Sequence, residues 1–134
     1  MSRENVEQVR ASFTAFNRGD FQAAAACVHP EAELHAHLGA VEWKTYRGPG
    51  ALVRMWSDFE EAFGGTLQVE VKELLIECED QVVAVVEALA TGRKSGVEVR
   101  RSWAQLTTHR NGFIIRIEPF PDRDAAVEAA GLSE

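Results

Sequence analysis

Phe13-Thr14-Ala15-Phe16-Asn17-Arg18-Gly19-Asp20-Phe21 is the stretch that decides the fold of this chain. Up to it, Val6, Val9, Phe13 and Phe16 recur at spacings of three, four and three, which sets them on one face of a helix. Ser2 can cap that helix, and Glu4 suits its positive first turn. Gly19 supplies a left-handed exit. Asp20 then caps a second helix carrying Phe21, Ala24, Ala25 and Val28, which Pro30 stops. A strand follows from Glu31 to Leu38, with Leu34, Ala36 and Leu38 on one face and Glu33, His35 and His37 on the other. A loop from Gly39 to Gly48 holds Trp43 and Tyr46. Pro49 opens a third helix with the stripe Leu52, Trp56, Phe59 and Phe63, ended by Gly64-Gly65.

Beyond Gly64 the chain reads as strand until a last short helix. Leu67, Val69 and Val71 share one side, and the apolar positions then move to Leu74, Ile76 and Cys78; the change of phase at Lys72-Glu73 predicts a β-bulge. Glu79-Asp80 forms a turn. Gln81 to Thr91 is nearly all apolar and so a central strand. A basic loop from Gly92 to Gly96 leads to a strand from Val97 to Arg110. Asn111-Gly112 between strands favours a two-residue type I′ hairpin, because both residues tolerate positive φ. Counted from that turn, Arg110 opposes Phe113, Leu106 opposes Ile117 and Ala104 opposes Pro119. On the other face Thr107 opposes Arg116, Gln105 opposes Glu118 and Trp103 opposes Phe120. A helix from Asp122 to Ala130 closes with Gly131-Leu132. Helices first and a meander of strands later predict an α+β fold, with helices laid across one curved, mostly antiparallel sheet and a pocket enclosed between them.

At 134 residues the chain is sized for one domain, 1–134, and its 46% hydrophobic content can support one core. The net charge of −7 argues against nucleic acid, which needs a basic footprint. Cys27 and Cys78 lack metal or redox spacing and read as buried free thiols of a reducing compartment. The charged, polar beginning Arg3-Glu4-Asn5 is unlike a signal peptide, and the apolar runs are too short to span a bilayer. A cytoplasmic protein without membrane contact is the expectation.

Five motifs carry a family resemblance. They are Glu4-Asn5-Val6 through Phe13-x-x-Phe16-Asn17-Arg18-Gly19-Asp20; Pro30-x-Ala32-x-Leu34; Tyr46-Arg47-Gly48; Gly96-Val97-Glu98-Val99; and Arg110-Asn111-Gly112 with Ile114-Ile115-Arg116-Ile117. Over essentially the whole chain they resemble the SnoaL-like group of the nuclear transport factor 2-like superfamily, and the ending Asp122-Arg123 to Ala129-Ala130-Gly131-Leu132 resembles uncharacterised bacterial members. The resemblance implies a cone-shaped, cystatin-like α+β barrel. Its pocket lies between helices and inner sheet face, and its outer face often forms a dimer. Ketosteroid-isomerase-like relatives use an Asp on the first strand, a Tyr on the first helix and a protonated Asp on the sheet. The matching positions here are Ala36, Ser12 and Ala104, and neither alanine can move a proton. Epoxide-hydrolase-like relatives use an Arg-x-Asp pattern; Arg100-Arg101-Ser102 puts Ser102 where the acid would stand. Polyketide cyclases rely on an acidic pocket residue, and the inner positions of strands one, four and five offer none.

The expected function is therefore binding of a small, mostly apolar molecule among Leu34, Ala36, Leu38, Trp43, Tyr46, Trp56, Phe59, Arg100, Ser102, Ala104 and Ile117. Arg100, if buried there, would want Glu98 or a ligand carboxylate. The alternatives are an isomerase, polyketide-cyclase-like or epoxide-hydrolase-like enzyme using Tyr46, His35, His37 or Arg100 in a rearranged site, and a dimeric interaction module without catalysis. Trp103, Gln105, Thr107, Arg116, Glu118 and Phe120 could form a polar ligand platform, but the resemblance puts them on the outer face, where they form the expected homodimer interface. Glu33, His35 and His37 share a strand face, but nothing else in the chain has ligand spacing, so no metal and no cofactor is expected. His109, beside the hairpin turn, is expected to be exposed, and His29 to end a helix.

Overall fold

The computed structural model describes residues 2–38, 42–48, 50–63, 65–78, 80–92 and 96–132. The first apolar stripe forms α1 (Ser2–Asn17), and after a tight turn comes α2 (Phe21–Ala25). Gly19 takes φ +81, a conformation that costs a side chain and suits glycine. The Asp20 carboxylate accepts from the Ala23 N–H at 3.1 Å, and its own N–H donates to the Ala15 carbonyl at 2.9 Å. Asn17 reaches further. Its amide nitrogen donates to the Val69 carbonyl at 2.7 Å, and its oxygen accepts from the Val69 N–H at 2.9 Å. One side chain thus satisfies both backbone groups of an edge-strand residue, as a neighbouring strand would.

β1 (Val28–Leu38) begins earlier than expected. His29 and Pro30 lie inside it rather than at a helix end, and the His29 Nδ1 accepts from the Glu31 N–H at 3.0 Å. Proline forbids helix but tolerates extended backbone where the ladder is interrupted, and the β1 ladder shifts register between Val28 and Glu33. The expected loop before α3 (Ala51–Phe63) contains a strand, β2 (Glu42–Arg47), paired antiparallel to β1 with Tyr46 opposite Leu34. Its charged residues hide the apolar alternation that marks a strand; pairing with β1 imposes the conformation.

β3 (Gly65–Cys78), β4 (Gln81–Gly92), β5 (Glu98–Arg110) and β6 (Phe113–Phe120) complete one sheet of order β2-β1-β6-β5-β4-β3, and α4 (Arg123–Leu132) follows. Among the described residues only β1 and β6 pair in parallel. The bulge expected at Lys72 is present: Val71 opposes Val86, and Glu73 opposes Val85. Asn111 and Gly112 take φ +53 and +83, as the hairpin turn requires, and Arg110 opposes Phe113.

The expected register fails two residues later. His109 opposes Ile114, but Thr108 opposes Arg116, so Ile115 is an extra residue. From there on Thr107 faces Ile117, Leu106 faces Glu118, Gln105 faces Pro119 and Ala104 faces Phe120. A one-residue slip exchanges the two faces of a strand. Ile114 and Ile117 both enter the same core, and residues three apart cannot do so on a regular strand; the bulge resolves that conflict.

The core lies in two layers. Between α1, α2, α3 and the inner sheet face sit Val9, Phe13, Phe16, Leu34, Trp56, Val69, Val86 and Ile117, with Phe16 and Trp56 ring centroids 4.4 Å apart. Under α4, on the outer face, sit Val83, Ala104, Leu106, Ala126 and Ala130. The Asp122 carboxylate caps α4 by accepting from the Ala125 N–H at 2.9 Å, and the helix continues through Gly131-Leu132. The roles expected of Pro49, Gly64 and Glu79, and the centre of the basic loop at 93–95, lie outside the described residues. No helix among them is long and apolar enough to cross a membrane.

Candidate functional site

The β4–β5 register sets Arg101 against Ala88, Trp103 against Val86, Gln105 against Ala84 and Thr107 against Val82, all four partners belonging to the inner core. Trp103, Gln105 and Thr107 therefore face the helices. Two adjoining voids of about 20 and 30 Å³ lie between this wall and α1 and α3, sharing Phe13, Met55, Trp56, Gln105 and Ile117. Ser12 and Leu52 extend one; Phe59, Trp103 and His35 extend the other. Each holds about one water. The Phe59 and Trp103 rings stack with centroids 6.3 Å apart. Ser12 donates to the Ala24 carbonyl at 2.9 Å, and the side-chain amide of Gln105 has no hydrogen-bond partner among the described residues.

Below Gln105 the wall ends in a buried polar chain. The Thr107 hydroxyl lies 2.8 Å from His109 Nε2, and His109 Nδ1 lies 3.2 Å from Gln8 Oε1. Gln8 in turn donates from its amide nitrogen to the Gly112 carbonyl. Gln8 Oε1 can only accept, so Nδ1 carries the proton and Nε2 accepts from Thr107. His109 is 4% exposed rather than exposed, and burial lowers its pKa from the ordinary 6.5 to about 4, with the Asp80 charge opposing.

The remaining polar groups are engaged elsewhere. Tyr46 is buried and donates to Asp58 Oδ2 at 2.5 Å; Lys44 holds the same oxygen at 2.9 Å. Burial and the Asp58 carboxylate push the Tyr46 phenol well above its ordinary range, and the phenol and Lys44 hold Asp58 low. Glu33 accepts from Arg47 at 3.2 Å and contacts His35 Nε2 at 2.6 Å, which lowers its pKa, Arg47 contributing most. Cys27 is a half-buried thiol whose pKa burial raises; the side chain of Cys78 lies outside the described residues.

The expected pocket set thus divides. Trp56, Phe59 and Ile117 line the voids. Leu34, Ala36 and Tyr46 are packed in the same core but line neither. The side chains of Leu38 and Trp43, and of His37, lie outside the described residues. Arg100, Ser102 and Ala104 face the opposite way, because the strand-five register is shifted. Ala104 packs beneath α4, Ser102 is exposed, and Arg100 pairs with Glu87 at 2.8 Å beside an open groove of about 460 Å³ along β3. The expected interface set divides by the same cause: Arg116, Glu118 and Phe120 stay on the outer face, whereas Trp103, Gln105 and Thr107 turn inward. Met55 and Phe13 complete the wall. Met55 extends the helical stripe between Leu52 and Phe59, which is the signal that marks it.

The sequence and the fold have counterparts among known proteins. An uncharacterized protein of Mycobacterium tuberculosis is 30% identical over 130 residues, covering 93% of this chain and 94% of its own. Bal32a, from a soil-derived mobile gene cassette, superposes with a TM-score of 0.75 at 20% identity over 88% of both chains. TerC, co-crystallised with polyporic acid, superposes with a TM-score of 0.75 at 21% identity, over 96% of this chain and 98% of its own. The model of the SnoaL-like domain matches residues 9–117, and the chain belongs to that family.

Proposed function

We propose that this protein binds a small, mostly apolar molecule in the chamber between α1, α3 and the inner face of β5 and β6. The Gln105 amide, without a hydrogen-bond partner among the described residues and set among Phe13, Met55, Trp56 and Ile117, carries this reading: ligand sites combine apolar walls with a few polar groups that orient the guest. The voids are water-sized, so a guest enters by turning the Met55, Phe59 and Trp103 side chains aside. Among the described residues no carboxylate lines either void, so binding fits this wall better than carboxylate-driven proton transfer.

Calorimetric titration with acetylnaphthalene and with polyporic acid, the latter taken from the TerC complex, tests the reading. One saturable site is expected, with a raised melting temperature. Gln105→Leu should weaken acetylnaphthalene about tenfold, the worth of one buried hydrogen bond. Ile117→Trp, which fills the chamber, should abolish binding. Undiminished binding by a folded Ile117→Trp variant would place the site elsewhere.

We further infer a homodimer formed through the outer face of β1, β2 and β6. Arg47–Glu33, 3.2 Å apart, form one ion pair there and Arg116–Glu118, 3.2 Å apart, another. A patch of mixed sign is self-complementary about a two-fold axis.

A further inference from the structure

The inward file of β5 changes character along its length. Val99 stands opposite Ala90, Arg101 opposite Ala88, and Trp103, Gln105 and Thr107 follow toward the closed end. Val99 is 44% exposed and Arg101 is exposed, whereas Thr107 is 1% exposed. The file therefore runs from a solvent-facing rim to a buried floor. Its order is an apolar rim residue, a cation, an indole stacked on Phe59, and an amide.

Resting on the chamber reading above, we propose that Arg101 anchors the carboxylate of an aromatic acid whose ring system lies against Trp103 and Phe59. Four residues of extended strand separate Arg101 from Gln105, a backbone span of about 13 Å. That spacing matches the length of a fused two-ring skeleton, which fits between the arginine and the amide once the Phe59 and Trp103 rings turn aside. A guanidinium carries five N–H donors in a planar fork, so it can meet a carboxylate in bidentate fashion while keeping a contact within the protein. The neighbouring arginine cannot serve. Arg100 lies on the outer face, opposite Leu89, and so points away from the chamber. The cation thus selects the head group, and the indole and phenyl faces select a flat body.

Naphthalene carboxylate and its neutral carboxamide separate these contributions, because they share a body and differ in the head. Both are titrated calorimetrically at neutral pH into the wild type, Arg101→Met, Arg101→Lys, Arg100→Met and the chamber-filled Ile117→Trp. The wild type should bind the acid at least tenfold tighter than the amide. Arg101→Met should bind the two equally and keep its amide affinity within twofold; Arg101→Lys should keep part of the preference, and Arg100→Met all of it. A preference that survives Arg101→Met, or disappears in Arg100→Met, overturns the anchor. Equal wild-type affinities that Ile117→Trp abolishes overturn the anchor alone and leave the chamber standing. No binding of either probe by the wild type overturns both.

Discussion

The His109 imidazole, closed between Gln8 and Thr107, makes the fold sensitive to mild acid. Its folded pKa of about 4 lies below the ordinary 6.5, so the unfolded chain takes up the proton first as pH falls. Stability that is complete above pH 6.5 is lost between there and about pH 4, by about 3 kcal/mol. Urea unfolding across this range should show that slope, and His109→Gln should flatten it; an unchanged slope in the variant would assign it to carboxylates instead. The position looked exposed in the sequence because it stands two residues before a turn. Its burial comes from Gln8, a hundred residues away, and from the Ile115 bulge, neither of which a local pattern carries. Asn17 is the opposite case. The motif around it identified the family, yet its own task, pairing with Val69, is visible only in three dimensions.

At the scale of elements, phase carries information only where apolar and polar residues alternate. Lys72 interrupts a clear alternation in β3, so its bulge was legible. Ile114-Ile115 does not alternate, and both the regular and the bulged hairpin satisfy the pair equally well. The choice falls to the core, which takes Ile114 and Ile117 together. One undetected residue then reversed the reading of β5, moving Trp103 from an interface to a chamber wall and Ala104 from the chamber to the underside of α4. β2 was illegible for a related reason, since only Tyr46 among its described side chains is buried. Trp103→Glu distinguishes the two placements. On an outer face it would separate subunits and leave each one stable. On the inner wall it sets a carboxylate against Phe59 and the core, and should cost about 1–3 kcal/mol in urea unfolding without changing the sedimentation coefficient of the native protein.

For the whole molecule, the division of the outer face bears on the proposed dimer. α4 covers β4 and β5 and reaches the end of β6, occupying the apolar half with Ala126 and Ala130. The half over β1, β2 and β6 is left charged, with Glu33 opposite both Arg47 and Arg116 in the sheet. At a net charge of −7 two copies repel at long range, so the proposed dimer would depend on local pairing of opposite signs. Arg116→Glu removes one of the two arginines of that patch, Arg47 being the other, and shifts the net charge by two negative units. Arg100→Glu changes the net charge equally but lies on β5, outside the patch. Sedimentation equilibrium should show at least tenfold weaker association for Arg116→Glu, the price of like charges brought face to face, and wild-type association for Arg100→Glu. Equal weakening by both would attribute the effect to net charge and reject the patch; no weakening by either would remove β6 from the interface.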